Sequence, residues 1–335
     1  MAGETAYSQM NESVARYMMD TAYSAAVSET SILSYISSDS DIPLDRPAGL
    51  ALPTDGDELI ITDNSNGGTI RVPVKDGIAE IRNIAPTPVG GEYLLLRGGR
   101  PIVGGTVYPT GQLRMIRAYG DAFNIRDMGG WACAGGTVKY GKILRGSELD
   151  GTNFKVVFTE EDRQLFLNFL KVRCEIDLRS EAEVAGVTVP ALGSGACLER
   201  YPIGPYVDMI DPNGPCAELF ERLLRSIIRH VVAGETVYIH CMLGGDRTGA
   251  LCAVLEGLLG VSLSDIEKDY ELTSFSRVHE IRTRLVPPWR DFVGFINSFA
   301  GTTFGDKVVS IVTKTGIRQD EIDAFRAAMI TWSAL

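Results

Sequence analysis

The run Thr236-Val237-Tyr238-Ile239-His240-Cys241-Met242-Leu243-Gly244-Gly245-Asp246-Arg247-Thr248-Gly249 constrains the fold of this 335-residue chain more than any other segment. A β-branched stretch passes through a glycine-containing loop straight into the apolar residues 250–259, which predicts a strand, a tight loop and a helix in immediate succession. Around it, β-rich runs alternate with helical periodicity. Residues 172–178 and 236–239 read as strands. Residues 218–232 carry Leu219, Leu223, Leu224, Ile227, Ile228 and Val231 on one face, the spacing of a helix that covers a sheet. Ser264 and Glu267 have the spacing of a capping box at the start of another helix. Residues 118–335 are therefore expected to form an α/β domain with a largely parallel sheet.

The residues before it have a different texture. Residues 45–117 contain five β-rich runs, 59–62, 69–74, 78–84, 93–96 and 106–108, separated by turn clusters such as Asn64-Ser65-Asn66-Gly67-Gly68, Asp76-Gly77 and Gly98-Gly99. That spacing predicts a small all-β, sandwich-like module, similar in general look to fibronectin or immunoglobulin modules, with a β-rich extension of the following domain as the alternative. Residues 1–44 are rich in Ser, Ala and Met. Val14, Met18 and Ala22 stand at helical spacing, as in short helices that need a partner to pack on.

Charge and cysteine usage exclude several function classes. Subtracting 43 Asp and Glu from 32 Lys and Arg leaves −11, a field that repels phosphate backbones and anionic membranes, so nucleic acid is not an expected partner. The longest uncharged run, residues 184–198, is interrupted by Gly and Pro and is too short to span a bilayer. Six cysteines, Cys133, Cys174, Cys197, Cys216, Cys241 and Cys252, are scattered without a CxxC pair. That pattern fits free thiols in a reducing, cytoplasmic setting rather than a disulfide framework or a zinc ribbon. The opening MAGETAYSQM lacks a basic start and an apolar stretch, and a secreted or periplasmic placement stays open if a leader was trimmed. With three histidines, no His-rich metal site is expected, and neither metal nor cofactor is implied.

The chemistry sits in HCxxGxxR. A loop closing between a strand end and a helix start turns successive backbone N–H groups inward, and the helix dipole adds partial positive charge, making a cradle for a tetrahedral dianion. Met242, Leu243, Gly244, Gly245, Asp246 and Arg247 form that cradle, with the two glycines permitting its curvature. Cys241 stands at its floor, where the dipoles and Arg247 favour thiolate, the nucleophilic form. Arg247 can hold two phosphoryl oxygens with its planar fork. Thr248 can donate to the sulfur, and His240 orders the loop through a ring N–H. The leaving oxygen needs a proton. Asp246, beside Arg247, is one candidate acid; Asp208 or Asp211, in the Gly- and Pro-punctuated residues 202–215, is the alternative.

With HCMLGGDRTG in view, residues 118–280 resemble the cysteine-dependent protein tyrosine phosphatases, in particular a bacterial branch whose loop ends in DRTG. Phe123-Asn124-Ile125-Arg126-Asp127-Met128-Gly129-Gly130, Leu144-Arg145-Gly146-Ser147 and Ile176-Asp177-Leu178-Arg179-Ser180 are similar to further motifs of that branch. The resemblance implies Cys241 as nucleophile, Arg247 as phosphate ligand and Asp246 as acid. Relatives active on phosphoinositides often carry Lys where this chain has Gly245, and the Trp-Pro-Asp lid of mammalian-type members is absent. The expected function is hydrolysis of phosphotyrosine or dual-specificity phosphoprotein substrates, or of small phosphomonoesters, through a cysteinyl-phosphate. An inositol polyphosphate or phosphoinositide phosphatase is the alternative within enzymes, and a phosphate-recognition or adhesion protein the alternative outside them. Arg126 and Asp127 are expected to brace the loop as an ion pair. Arg145 and Arg179 are expected as surface or supporting cations, the other five cysteines as small buried side chains, and His230 and His279 as solvated. The partner of the β-rich module is not specified by the sequence.

Overall fold

The strand Thr236–His240 lies at the centre of a five-stranded sheet ordered Cys197–Arg200, Val172–Asp177, Thr236–His240, Ile143–Gly146 and Arg126–Asp127. The first four are parallel and the last is a short antiparallel edge. All five residues of Thr236–His240 are buried, as expected of an apolar, β-branched run enclosed on both faces. The computed structural model describes residues 4–20, 31–35, 44–187, 189–277 and 281–333.

Alternate residues of the central strands feed two separate cores. Val237 and Ile239 face helices: Ala217–Val232, Asp246–Leu259, Pro287–Asn297, Phe304–Lys314 and Gln319–Met329 supply Leu223, Ile227, Leu251, Leu255, Phe292, Val308 and Phe325 to that side. Tyr238 and Leu144 face the other way and pack with Leu59, Ile61, Ile81 and Leu95 of the β-rich segment and with Phe166 and Phe169. The period-2 alternation of a strand thus assigns one face to helices and the other to the β-rich segment.

That segment contains the five expected strands, as Glu58–Asp63, Gly68–Pro73, Ile78–Ile81, Gly91–Arg97 and Arg100–Thr110. Four of them join Glu4–Ser8 in one sheet, while Ile78–Ile81 pairs with Leu50–Pro53 in a second. Glu4–Ser8 is a difference from expectation, because only helices were foreseen before residue 45. It lies parallel to residues 106–110, covering the otherwise open edge of the long strand Arg100–Thr110. The helix Glu12–Met19 follows, with the Asn11 side chain accepting from Ser13 N at 2.8 Å. Val14 and Tyr17 enter the helical core; Ala22 lies outside the described residues.

Two helix starts also differ. The loop helix begins at Asp246, one turn before the apolar run, because Gly245 caps it and its polar first turn faces the site rather than the core. The helix Leu263–Glu271 is capped by Ser262, not Ser264: the Ser262 hydroxyl accepts from Asp265 N at 3.2 Å and donates to Asp265 Oδ2 at 2.9 Å. The Ser-x-x-Asp spacing two residues upstream outcompetes the expected Ser-x-x-Glu. Among the described residues, no helix is long and apolar enough to cross a membrane.

Arg114 joins the two β systems. Fully buried, it donates to Asp63 Oδ2 at 2.9 Å on the β-rich side and to Asp127 Oδ2 at 3.2 Å on the edge strand of the central sheet. Removing the guanidinium would leave two uncompensated buried carboxylates. Arg114→Met is therefore expected to lower unfolding free energy by about 3–5 kcal/mol, read from urea denaturation.

Candidate active site

Cys241 directly follows the central strand and is almost fully buried. Each carbonyl of the loop after it accepts a hydrogen bond. Cys241 O takes one from His240 Nδ1 at 2.9 Å, Met242 O from Glu148 N at 3.1 Å, Leu243 O from Asn124 Nδ2 at 3.0 Å, Gly244 O from Arg145 Nη2 at 2.8 Å and Gly245 O from Gly249 N at 2.7 Å. With the carbonyls tied outward, the alternating peptide dipoles direct the N–H groups toward the concave side. Gly244 adopts φ +73°, and a Cβ there would lie 2.3 Å from Gly146 O, so only glycine fits. Gly245 caps the helix without a side-chain hydrogen bond, leaving the first-turn N–H donors unclaimed by a cap.

The groups holding the loop are charged and buried. His240 Nε2 is 3.0 Å from Glu175 Oε1 while Nδ1 meets a carbonyl, so both ring nitrogens face acceptors and the ring is a double donor. Burial opposes its charge, but Asp177 and the Glu175 hydrogen bond outweigh it and raise the His240 pKa to about 9. Arg145 and Arg179, expected as surface or supporting cations, are both fully buried. Arg179 clasps Asp177 at 2.9 and 2.8 Å and reaches Glu148 Oε2 at 2.8 Å. Arg145 donates from Nη1 to Asp269, which also accepts from Arg126 Nε at 2.8 Å.

The expected Arg126–Asp127 ion pair is therefore not formed. Neighbours on a strand point to opposite faces, so Arg126 reaches Asp269, whereas Asp127 accepts from Gly129 N at 2.8 Å, Gly141 N at 2.7 Å and Arg114. Both still brace the surroundings of the loop, by separate routes. Two further expectations change. Of the five other cysteines only Cys174 and Cys252 are buried, Cys197 being exposed. His230 is mostly covered, between Glu199 and Glu235; His279 lies outside the described residues.

Arg247, in the first turn of the helix, donates from Nη1 and Nη2 to Glu183 Oε2 and Oε1, both at 2.7 Å, and from Nη1 to Leu178 O at 3.3 Å. Burial works against its charge, yet Glu183 and the Cys241 sulfur together raise its pKa. Glu183 in turn is held down at about 2, chiefly by the Arg247 hydrogen bonds. Glu183 occupies the end of the guanidinium, so the side edge formed by Nε–H and the second Nη2 hydrogen has no partner among the described residues. That edge can meet two oxygens of one tetrahedral anion.

Asp246 lies beside Arg247 at the rim of a cavity of about 720 Å3, whose lining also includes Glu183, Ile203, Tyr206, Tyr270, Ile281 and Arg282. Arg282 donates to the two Asp246 carboxylate oxygens at 2.7 and 2.8 Å, and Tyr206 donates its hydroxyl to Oδ1 at 2.5 Å. Asp208 lies in the short helix Val207–Ile210 and Asp211 caps its end, accepting from Asn213 N at 2.9 Å; neither is among the lining residues. Thr248 Oγ1 is buried and makes no hydrogen bond among the described residues.

A family model described as the tyrosine phosphatase family matches residues 118–287, just over half of the chain. This chain belongs to the tyrosine phosphatase family. No curated protein sequence matches it. Among solved structures it is similar to the core catalytic domain of the PP-IP phosphatase SIW14 from S. cerevisiae in complex with citrate. That match is 21% identical with a TM-score of 0.26, and covers 42% of this chain and 75% of that one.

Several residues of this candidate site escape the motif reading. Glu183 had a usable signal: Ser180 and Glu183 stand three apart, and Ser180 N and Oγ both donate to Glu183 Oε2, at 2.8 and 2.7 Å. Arg282 and Asp269 have none, because each meets its partner only through the tertiary fold.

Glu183→Gln keeps the size but weakens the clamp on the guanidinium. It is expected to lower kcat/KM for an aryl phosphate by about 100-fold, the scale of a misplaced binding group; unchanged steady-state kinetics would show that the clamp is dispensable. Folded His240 titrates near 9 against 6.5 for the free side chain. Its contribution to stability is fully present below about pH 6.5 and disappears as pH rises through about 9. Urea midpoints should fall across that interval, with a smaller decline in Glu175→Gln.

Proposed function

We propose that this phosphatase hydrolyses phosphotyrosine-type and dual-specificity phosphoprotein monoesters through a cysteinyl-phosphate intermediate. The observation that carries this reading is the loop at Cys241, whose carbonyls are all bound away from the concave side while Glu183 presents the side edge of Arg247 toward it. A phosphoryl group in that cradle meets backbone N–H donors and two guanidinium hydrogens, which stabilise charge on its equatorial oxygens.

In the first step the Cys241 sulfur forms a bond to phosphorus as the ester P–O bond breaks, and the departing oxygen takes a proton from Asp246. Asp246 then accepts a proton from the water that attacks phosphorus, releasing phosphate and regenerating thiolate. For either transfer, Asp246 must exchange a contact to Arg282 or Tyr206 for one to the reacting oxygen. Thr248 supplies its hydroxyl to the departing sulfur, and His240 stays a fixed double donor. Asp246 is preferred over Asp208 and Asp211 because it lines the cavity with Arg247 and they do not.

The cavity walls favour an aryl carrier. Ile203, Pro205, Tyr206, Ile281 and Val286 offer apolar and aromatic surface. The lining cations among the described residues, Arg247 and Arg282, are each paired with a carboxylate. A ligand with several phosphates would call for cations in excess.

Cys241→Ser is expected to abolish turnover of an aryl phosphate while binding of inorganic phosphate stays measurable; turnover persisting in this variant rejects the covalent route. With a poor leaving group, Asp246→Asn should slow the reaction by about 100-fold or more while Asp208→Asn and Asp211→Asn leave it unchanged. A phosphopeptide, phosphoinositide and inositol phosphate panel under one set of conditions tests the substrate class, and phosphate binding without turnover of any of them would favour a recognition role.

A further inference from the structure

Away from the catalytic loop, a second group of chemically active side chains gathers on the outer part of the central sheet. The edge strand Cys197–Arg200 pairs in parallel with Val172–Asp177 so that Cys174 stands opposite Cys197. Glu199, two residues along, shares the face of Cys197. The covering helix Ala217–Val232 brings His230 onto that face. One ligand atom from each of Cys174, Cys197, Glu199 and His230 lies within 4.8 Å of every other. His230 Nε2 is 3.0 Å from Glu199 Oε1 and 4.0 Å from Cys197 Sγ.

We propose that Cys174, Cys197, Glu199 and His230 form a closed, four-coordinate site for one Zn2+ ion. In a tetrahedral site the S–S, S–N and N–O separations are about 3.8, 3.6 and 3.3 Å, given ordinary Zn–ligand lengths. To reach them the Cys197–His230 separation contracts from 4.0 Å and the His230–Glu199 separation opens from 3.0 Å, while no pair of the four atoms starts more than 4.8 Å apart. Two thiolates, an imidazole and a carboxylate are the donor set of a borderline-soft divalent ion, and an oxygen-seeking ion such as Mg2+ or Ca2+ would not choose it.

The surroundings are arranged as those of a metal ligand set. His230 Nδ1 is 2.5 Å from Glu235 Oε2, which fixes the ring and leaves Nε2 turned toward the cluster. Glu199 Oε2 receives the Tyr201 hydroxyl at 2.7 Å and the Ser226 hydroxyl, so Oε1 is the oxygen directed at His230. Arg229 Nη2 lies 2.7 Å from Glu199 Oε1 and 3.1 Å from His230 Nε2. It is a mostly exposed side chain that can withdraw when the ion enters and then offset the single negative charge left by two thiolates, one carboxylate and Zn2+. The bonds would tie the edge strand, its neighbour and the covering helix together, a closure that scattered cysteines with no CxxC spacing do not announce.

The test uses the full chain, reduced, stripped of metal and titrated with Co2+ and then Zn2+. One Co2+ per chain should bind, with the visible bands of tetrahedral cobalt and thiolate charge-transfer absorption, and Zn2+ should displace it. Cys197→Ser and His230→Ala should weaken binding by about 100-fold or more and Glu235→Gln by about 10-fold or more, while Cys241→Ser and Cys216→Ser bind as the unchanged chain does. Circular dichroism confirms that each variant is folded, and Cys197→Ser, at an exposed position, is the variant least exposed to folding failure. Absence of thiolate-ligated Co2+ in the unchanged chain, unaltered affinity in folded Cys197→Ser, or loss of the signal in Cys241→Ser would each overturn the proposal.

Discussion

The outward anchoring of five consecutive carbonyls is the constraint on which the rest of the site depends. A loop of this curvature has no internal ladder, and a buried carbonyl without a donor costs about 1–3 kcal/mol. The chain meets that demand with donors from four places: the His240 ring, the Glu148 backbone, the Asn124 side chain and the Arg145 guanidinium, with Gly249 N closing the helix end. Once those bonds exist, the inward N–H groups are a geometric consequence. The Arg126–Asp269–Arg145 cluster is intelligible in this light. Arg145 must be buried to reach Gly244 O, a buried guanidinium needs a counterion, and Asp269 supplies it from the helix Leu263–Glu271.

The β-rich segment takes part in the same construction. Its strands share a core with Leu144 and Tyr238 of the central sheet, and Arg114 bridges Asp63 to Asp127 across that boundary. Asp127 also holds Gly129 N and Gly141 N, on either side of two short strands, Ala132–Cys133 and Gly136–Val138, that precede Ile143–Gly146. The turns leading to the strand Ile143–Gly146 are thus tied, through Asp127 and Arg114, to the β-rich side, and the shared core makes the segment a covering layer of the phosphatase sheet as well as a β structure in its own right.

What could be read from the sequence follows from range. Local signals were sufficient for the strand, loop and helix around Cys241, for the helix over residues 217–232 and for the five β-rich runs, because turn chemistry and periodicity act over a few residues. Glu4–Ser8 was missed because its partner strand lies about a hundred residues away. The misassigned partner of Arg126 shows the same limit in reverse: adjacency in sequence suggests a pair, while the pleat of a strand separates its members. Asp269, Arg282 and the facing pair Cys174 and Cys197 acquire meaning only through tertiary placement.

The pairing of the cavity's cations has a consequence for how a dianion is received. Arg247 shares its charge with Glu183 and Arg282 with Asp246, so these four side chains contribute close to zero net charge at the rim. The whole chain carries −11. Long-range attraction of an anionic substrate is therefore weak, and it would have to overcome the field of the protein. On the function proposed above, what favours binding acts over a few ångströms: the inward amides, the helix N-terminus and the side edge of Arg247, each effective only when a tetrahedral group is seated. On that reading the site would select by fit at the loop and by apolar contact along the cavity walls. On that reading the acidic surface does not defeat a phosphatase built in this way, because the groups proposed to stabilise the transferring phosphoryl group act at contact distance and are fixed by a buried scaffold of His240, Asn124 and Arg145.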